Sequence, residues 1–416
     1  MTETTDISAI DTVEKFYIAA RVFSALDGAF AHWDDVSELN ADSLFRQLLH
    51  EISAASSRFE FSLLMMKYLA SFRNGHTEFV DFALMPQSLG VFPARLRDIG
   101  GNWFVTSSAV SGLRKGEEIT RINDQNASDF LAKRLSYVSA SREEYRGYGL
   151  FMKMHGLPES LELTTSGGDS FEVHRQPLLH GMQINVTAAE FEDHALIRIP
   201  SFDDPSFEED AVSLVRRFEK KRYLILDVRG NGGGDTPKAL IEALMERPYP
   251  GWIESSASRT GLELAETFAR HEGQLPVGQT PRTTVTWSTG WKQPCEQPYP
   301  GRLAILVDVG CKSATEDFIM PFAVTKRATI IGETTAGSSG QPYVERPRPD
   351  ILFTVGAKRQ FFPDMRPFEG HGIKPDVEVD ALAALRADTD LHLNIARETM
   401  QGGFNGYATG SSRVRA

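Results

Sequence analysis

Two short apolar runs each end near glycine and are each followed by a helical pattern. That repeated turn from strand to helix constrains the fold more than any other feature of the chain. Arg302-Leu-Ala-Ile-Leu-Val-Asp308 is bounded by turn residues and predicts a buried strand stopping at Gly310, after which Ser313-Ala-Thr-Glu-Asp-Phe-Ile opens a helix. Tyr223-Leu-Ile-Leu-Asp-Val228 predicts a second buried strand, followed by a glycine loop and a helix from Pro237 to Met245. Ala195 to Ile199 and Ala328 to Gly332 add two more strands, with an amphipathic helix from Glu208 to Lys221 between the first pair. Strands alternating with helices point to an α/β layer with much parallel pairing.

The 416 residues exceed what one small core needs, and two or three domains are expected. Apolar stripes at helical spacing (Val13, Phe16, Tyr17, Ala20, Phe23; Leu44, Leu48, Ile52; Phe61 to Phe72) predict a helical N-terminal region over 1–85. Residues 86–177, with strands at Trp103–Thr106, Glu118–Ile122 and Leu161–Thr165 and one helix over Asp129–Ala140, read as a separate β-rich module. The α/β layer is expected over 178–401, and the Gly- and Ser-rich end, 402–416, as a flexible tail. A formal charge of −12 argues against nucleic acid or an anionic membrane as main partner. No apolar run approaches a membrane span, and the acidic N-terminus lacks the basic start of a secretory signal. Cytoplasmic residence is the expectation, unless a leader has been removed. Two cysteines, Cys295 and Cys311, imply no disulfide framework.

Three stretches can carry chemistry. Ser313 falls at a helix N-terminus, where unpaired amides favour negative charge and suit a nucleophile whose oxyanion needs donors. Ser313 and Glu316 also fit a capping box, and both readings follow from the same helix start. Asp227-Val-Arg-Gly-Asn-Gly-Gly-Gly234 closes a buried strand with glycines that let backbone amides approach a ligand. Its spacing fits neither nucleotide-binding loop, because no Gly-Lys-Ser/Thr follows and Asp235 stands where a third glycine would be needed. It is either a tight turn or an oxyanion loop facing Ser313. His76 follows Asn74-Gly75 at a junction of helix and strand, as a positioned base would, though taken alone an ordinary turn histidine is the simpler reading. Glu369, in Phe368-Glu-Gly-His-Gly-Ile-Lys-Pro-Asp376, can orient a histidine, and His371 is a rival base. Lys312 points away from its neighbour on a helix start, and nothing near Cys311 lowers its pKa. No Gly-x-Ser-x-Gly elbow is present, which disfavours an α/β-hydrolase, and no Cys/His cluster has metal-ligand spacing; acyl transfer through a serine requires neither a cofactor nor a metal.

Taken together, these stretches resemble the tail-specific, or C-terminal processing, serine peptidases, with the tricorn core and interphotoreceptor retinoid-binding protein as relatives. Leu224 to Gly234 is similar to the family's glycine loop, and Val307-Asp-Val-Gly-Cys-Lys-Ser-Ala-Thr-Glu316 to its nucleophile segment. Ile331-Gly-Glu-Thr-Thr-Ala-Gly337 and Gly370-His-Gly-Ile-Lys-Pro-Asp376 follow in the family's order. The resemblance implies a helical N-terminal region, a PDZ-like β-rich domain and a ClpP/crotonase-like α/β catalytic domain. The processing branch places a catalytic lysine where this chain has Ser338, so the tricorn-like branch, with a histidine base and a late glutamate, is the nearer match. It implies Ser313 as nucleophile, His76 as base and Glu369 as its support, with the oxyanion between Ala314 and Gly232 or Gly233. The tricorn core bridges histidine and glutamate with a serine at the position of Gly75, which leaves the link here direct or through water.

The substrates implied are peptides or protein C-terminal segments, and self-association is left open. Gly90, Val91 and Phe92 resemble a carboxylate-binding turn, and Gly112 to Asp124 resembles a PDZ run, implying capture of a free C-terminus. A non-catalytic binder of peptide or apolar ligand, or a serine esterase, would suit the same fold. A histidine base predicts an acidic limb of kcat/KM near about 6–7.

Overall fold

In the computed structural model, residues 10–153, 156–178, 184–257 and 284–402 are described; the remainder of the expected tail, 403–416, lies outside them. At the centre is a six-stranded sheet. Strands His194–Arg198, Tyr223–Asp227, Arg302–Val307, Ala328–Gly332 and Val377–Glu378 run parallel, and Thr187–Glu190 closes one edge antiparallel. Alternation along the strands divides the core into two. Leu224, Leu226, Leu303, Ile305 and Val307 face helices Pro205–Arg217, Lys238–Leu244 and Ala314–Thr325. Tyr223, Ile225, Ala304 and Leu306 face the other way, onto Ile395, Ala396 and Met400 of helix Leu391–Gln401. Burial on both faces is why these strands read as continuous apolar runs. The Tyr223–Asp227 and Arg302–Val307 strands end side by side, Asp227 against Leu306, so the glycine loop and the Ser313 turn leave the same sheet edge together. Ligand crevices of open α/β sheets lie at such carboxyl ends.

Helices Thr12–Ala29, Ala41–Ala54 and Arg58–Ala70 are capped by the side chains of Asp11, Asn40 and Ser57. Their core also takes in Phe79, Ile351, Phe353 and Val355, because strand Phe79–Asp81 pairs antiparallel with Ile351–Val355 from far along the chain. Buried Arg58 donates to Asp81 at 2.8 and 2.6 Å, and Ser62 donates to the same carboxylate at 2.7 Å. These bonds lock helix Arg58–Ala70 to strand Phe79–Asp81 and hold the intervening Asn74–Thr77 turn between two rigid elements.

Residues 94–174 form an antiparallel sheet in the order Ala94–Ile99, Asn102–Ser108, Glu118–Ile122, Ser160–Thr165, Ser170–His174. The single helix expected over Asp129–Ala140 is instead Ala127–Leu135, followed by turns and a second helix, Glu143–Lys153. Val138 and Ala140 are buried outside any helix, so their apolar character does not mark a continuing helical face. Those turns carry Ser139 to Arg142 toward the α/β layer, where Arg142 donates to the Thr334 carbonyl at 3.0 Å and also to the Thr335 carbonyl. No helix among the described residues is long and apolar enough to cross a membrane.

Candidate active site

Ser313 sits at φ 59°, ψ −128° on the sharp turn into helix Ala314–Thr325. A positive φ is strained for a residue with a Cβ, and such strain at a turn from strand to helix exposes the side chain above the sheet edge. Ser313 makes no side-chain capping bond, which corrects the capping-box expectation. Its Oγ lies 3.1 Å from His76 Nε2. Glu316 is not a box partner either. It is buried and accepts from the Gly337 amide (2.7 Å), the Ser338 amide (2.9 Å) and the Thr335 hydroxyl. Burial pushes its pKa up to about 8. The Ser-x-x-Glu spacing was real, but its carboxylate anchors a neighbouring loop.

His76 is brought in from the N-terminal region. The Asn74 side chain accepts from its backbone amide at 3.0 Å, and the Thr354 hydroxyl donates to its carbonyl at 2.7 Å. On the ring, Nε2 faces Ser313 and Nδ1 lies 3.0 Å from Ser338 Oγ. Glu369 is buried, and its Oε1 accepts from Asn74 Nδ2 (2.7 Å) and from Ser141 Oγ. Ser141 also accepts from the Gly75 amide at 2.9 Å. The structure thus gathers Ser313, His76 and Glu369 into one site, with no direct bond between His76 and Glu369. Burial raises the Glu369 pKa, and the Ser141 and Ser338 hydroxyls oppose that rise. Glu369 Oε2 is buried with no hydrogen-bond partner, and the Ser338 hydroxyl lies close enough to oppose the rise without a formed bond.

Asn74, Ser141 and Ser338 were not identified as site residues from the sequence. Asn74-Gly75 read as a helix stop, and Ser338 drew attention only as the place where a lysine is missing. Ser141 gave no signal, because it enters from an unpredicted turn.

Lys312 points away from Ser313, as expected, but toward the turn that carries His76. Its Nζ donates to the Gly75 carbonyl at 2.5 Å and to Glu78 at 3.3 Å, and sits 5.3 Å from the Tyr145 ring centre. Burial acts to lower its pKa, but Tyr145 and Glu78 hold it above the ordinary lysine value. Glu78 also pairs with Lys153. Burial, followed by the Lys312 cation, pushes His76 down to about 3, with Glu78 working the other way. His76 is therefore neutral at neutral pH, and the acidic limb expected near 6–7 is displaced downward. Lys312→Met removes one depressing charge and leaves burial, so the limb of kcat/KM should move up yet stay below about 6.5. A pH-rate series on the two proteins checks this.

Two amides, that of Ala314 directly after Ser313 and that of Gly232 directly before Gly233, have no hydrogen-bond acceptor among the described residues. The Gly233 amide, expected as an alternative donor, is committed to Asn231 Oδ1 at 2.9 Å. Gly233 matters for space. At φ 102°, a Cβ there would lie 2.7 Å from Ser313 Cβ and 2.9 Å from the Ala314 nitrogen. Cys311 is fully buried, donates to the Val228 carbonyl, and has its pKa raised by burial, which removes it as a nucleophile. His371 is exposed, and its Nδ1 bonds the Glu369 carbonyl at 2.9 Å, so it is not the residue that meets Ser313. Among the described residues no group of His, Cys, Asp and Glu could hold a metal ion.

Of the three amides of Gly90-Val91-Phe92, that of Val91 is committed. Val91 exchanges both backbone bonds with Gln176 at 2.8 Å, a Cβ on Gly90 would lie 2.5 Å from the Gln176 carbonyl oxygen, and Phe92 is buried. The Val91 amide expected to receive a carboxylate is thereby occupied. Helix Glu143–Lys153 also packs against the end strand Ala94–Ile99, where a Cβ on Gly147 would meet Asp98 Cβ at 2.8 Å.

Residues 193–379 match the family model of peptidase family S41. No curated protein sequence matches the chain. Among solved structures it is similar to mature CPAF, with 12% identity and a TM-score of 0.67 over 94% of this chain and 97% of that one. A putative peptidase from Parabacteroides merdae shares 13% identity at a TM-score of 0.53 over 97% and 100% of the two chains. The photosystem II D1 C-terminal processing protease shares 17% identity at a TM-score of 0.50, over 91% and 99%. At these identities the likeness is one of fold.

Proposed function

We propose that this chain, which carries a peptidase family S41 domain over residues 193–379, is a serine peptidase working by acyl transfer through Ser313. The observation that supports it most is the contact between His76 Nε2 and Ser313 Oγ, 3.1 Å, on a strained turn at the carboxyl edge of the sheet. In this mechanism Nε2 takes the hydroxyl proton as Oγ bonds the substrate carbonyl carbon. The carbonyl electrons move to oxygen, and the oxyanion is held by the free amides of Ala314 and Gly232. The imidazolium then returns the proton to the amine nitrogen as the C–N bond breaks, and water releases the acyl group by the same steps in reverse order. Glu369, reaching the His76 turn through Asn74 and Ser141, offsets the charge that develops on the ring.

A fluorophosphonate should label Ser313 stoichiometrically, and a peptide should turn over faster than its matched alkyl ester relative to their uncatalysed rates. Absence of labelling would remove the enzyme in favour of a peptide or apolar-ligand binder, while ester-only turnover would make it an esterase.

The substrate class is peptides and protein segments, with the PDZ-like module of residues 86–177 acting as a structural support. The closed Val91–Gln176 pairing favours this reading over capture of a free C-terminus. Matched peptides ending in a carboxylate or an amide are expected to give kcat/KM values equal within about twofold, since tethering would raise the local concentration of only one. A preference for the carboxylate of tenfold or more would restore the tethering role.

A further inference from the structure

Gly75 is held on every side, and the way it is held identifies a further working residue. Its amide goes to Ser141, its carbonyl to Lys312, and the space where a side chain would start belongs to Ser338. A Cβ on residue 75 would lie 2.8 Å from Ser338 Oγ and 3.0 Å from Ser338 Cβ. The backbone of Gly75 is not in the left-handed region, so only this lack of room demands glycine. The two positions compete for one hydroxyl-sized place beside the base.

Ser338 is fixed in that place by its own backbone. Its amide donates to Glu316 Oε2 at 2.9 Å, and its carbonyl accepts from the Ser313 amide at 2.9 Å. The preceding Gly337 carbonyl accepts from the Gly370 amide at 2.8 Å, tying the loop to the segment that carries Glu369. Nucleophile, base and acid therefore each have a link to residues 337–338. The side chain completes the set, with Oγ 3.0 Å from His76 Nδ1 and close enough to Glu369 to act on its carboxyl, whose Oε2 is buried and unpartnered.

We propose that Ser338 is the positioning residue that bridges His76 and Glu369, and that its hydroxyl occupies a slot position 75 could fill in its place. The inference rests on the serine-peptidase reading above. His76 Nδ1–H donates to Ser338 Oγ, and the Ser338 O–H turns to Glu369 Oε2 when the site tightens around substrate. This fixes the imidazole tautomer that presents a lone pair at Nε2 to Ser313.

The test is to move the hydroxyl. Ser338→Ala should lower kcat by about 10²-fold, the lower end of what a positioned general base contributes, with KM unchanged. Gly75→Ser alone should also be impaired, because the new Cβ meets Ser338. The double variant Gly75→Ser/Ser338→Gly should recover at least about tenfold over the poorer single variant, since it restores one hydroxyl to the slot. The ¹⁵N shifts of the His76 ring give a second readout independent of turnover. The wild type should show a protonated Nδ1 and a bare Nε2, and Ser338→Ala a mixture of tautomers.

Full activity in Ser338→Ala, an unchanged tautomer, or a folded double variant no better than the poorer single one would each overturn the proposal. Should melting show the double variant unfolded, the tautomer in Ser338→Ala decides alone. A wild type that resists fluorophosphonate would instead count against the peptidase reading, and the ring shifts would still report whether Ser338 sets the tautomer.

Discussion

Ser313→Ala should abolish peptide hydrolysis, lowering kcat by about 10⁴–10⁶-fold, while the melting temperature stays within a few degrees of wild type. The two halves of that expectation have separate causes. Oγ meets His76 Nε2 and makes no capping bond, so its removal takes away the attacking atom and costs the helix start nothing. A lost cap would have cost about 1 kcal/mol. The strained backbone is unchanged in the variant, because alanine keeps the Cβ that makes φ 59° unfavourable. The loop–helix junction is also held by groups that the substitution leaves alone. Glu316 holds the Gly337 and Ser338 amides, and Asp317 holds Thr236 at 2.7 Å and the Trp252 indole at 2.8 Å. Turnover of a peptide and a thermal melt on the two proteins settle both halves. Retained activity would remove Ser313 as nucleophile, and a stability loss of several degrees would point back to a capping role.

The parts of this site that were legible in the sequence are those where one local pattern serves one structural purpose. The strands through Leu226 and Ile305 are buried on both faces, so their apolar runs and terminal glycines mark the sheet edge directly. Ser313 and the glycine loop follow because they sit at the ends of those strands. His76 was visible through the stripe of helix Arg58–Ala70 and its Asn-Gly stop. The rest depends on contacts across 66 to 295 positions of sequence, such as Gly75 with Ser141 and Asn74 with Glu369, for which no local spacing exists. Glu316 shows the opposite failure. Its spacing from Ser313 is that of a capping box, but the positive φ at Ser313 aims the hydroxyl at His76 and frees the glutamate for the Gly337–Ser338 loop. The return of Gln176 to pair with Val91 was hidden for the same reason, since no local spacing links the two.

His76→Ala should match Ser313→Ala in severity, and the double variant should be no worse than either, because nucleophile and base act as a unit. His371→Ala should stay within about threefold of wild type, since its ring is exposed and bonded to a backbone carbonyl. The pH profile gives the sharper test. Burial and the nearby Lys312 cation both disfavour the imidazolium, Glu78 favours it, and the balance pushes His76 down to about 3. A base with a depressed pKa remains unprotonated as the pH falls through the ordinary histidine value of about 6.5. Free-enzyme kcat/KM should therefore stay level from about pH 8 to below about 6.5, and fall only on approach to the native pKa. Stability follows the same sign. The unfolded histidine binds its proton near 6.5 and the folded one does not, so His76 contributes stability above that pH which is lost progressively between 6.5 and about 3. His76→Ala should remove that part of the acid sensitivity of the melting temperature together with activity. An acidic limb at or above 6.5 in the wild type would mean that the imidazolium is favoured in the free site, and would overturn the assignment of burial and Lys312 as the forces that set the base.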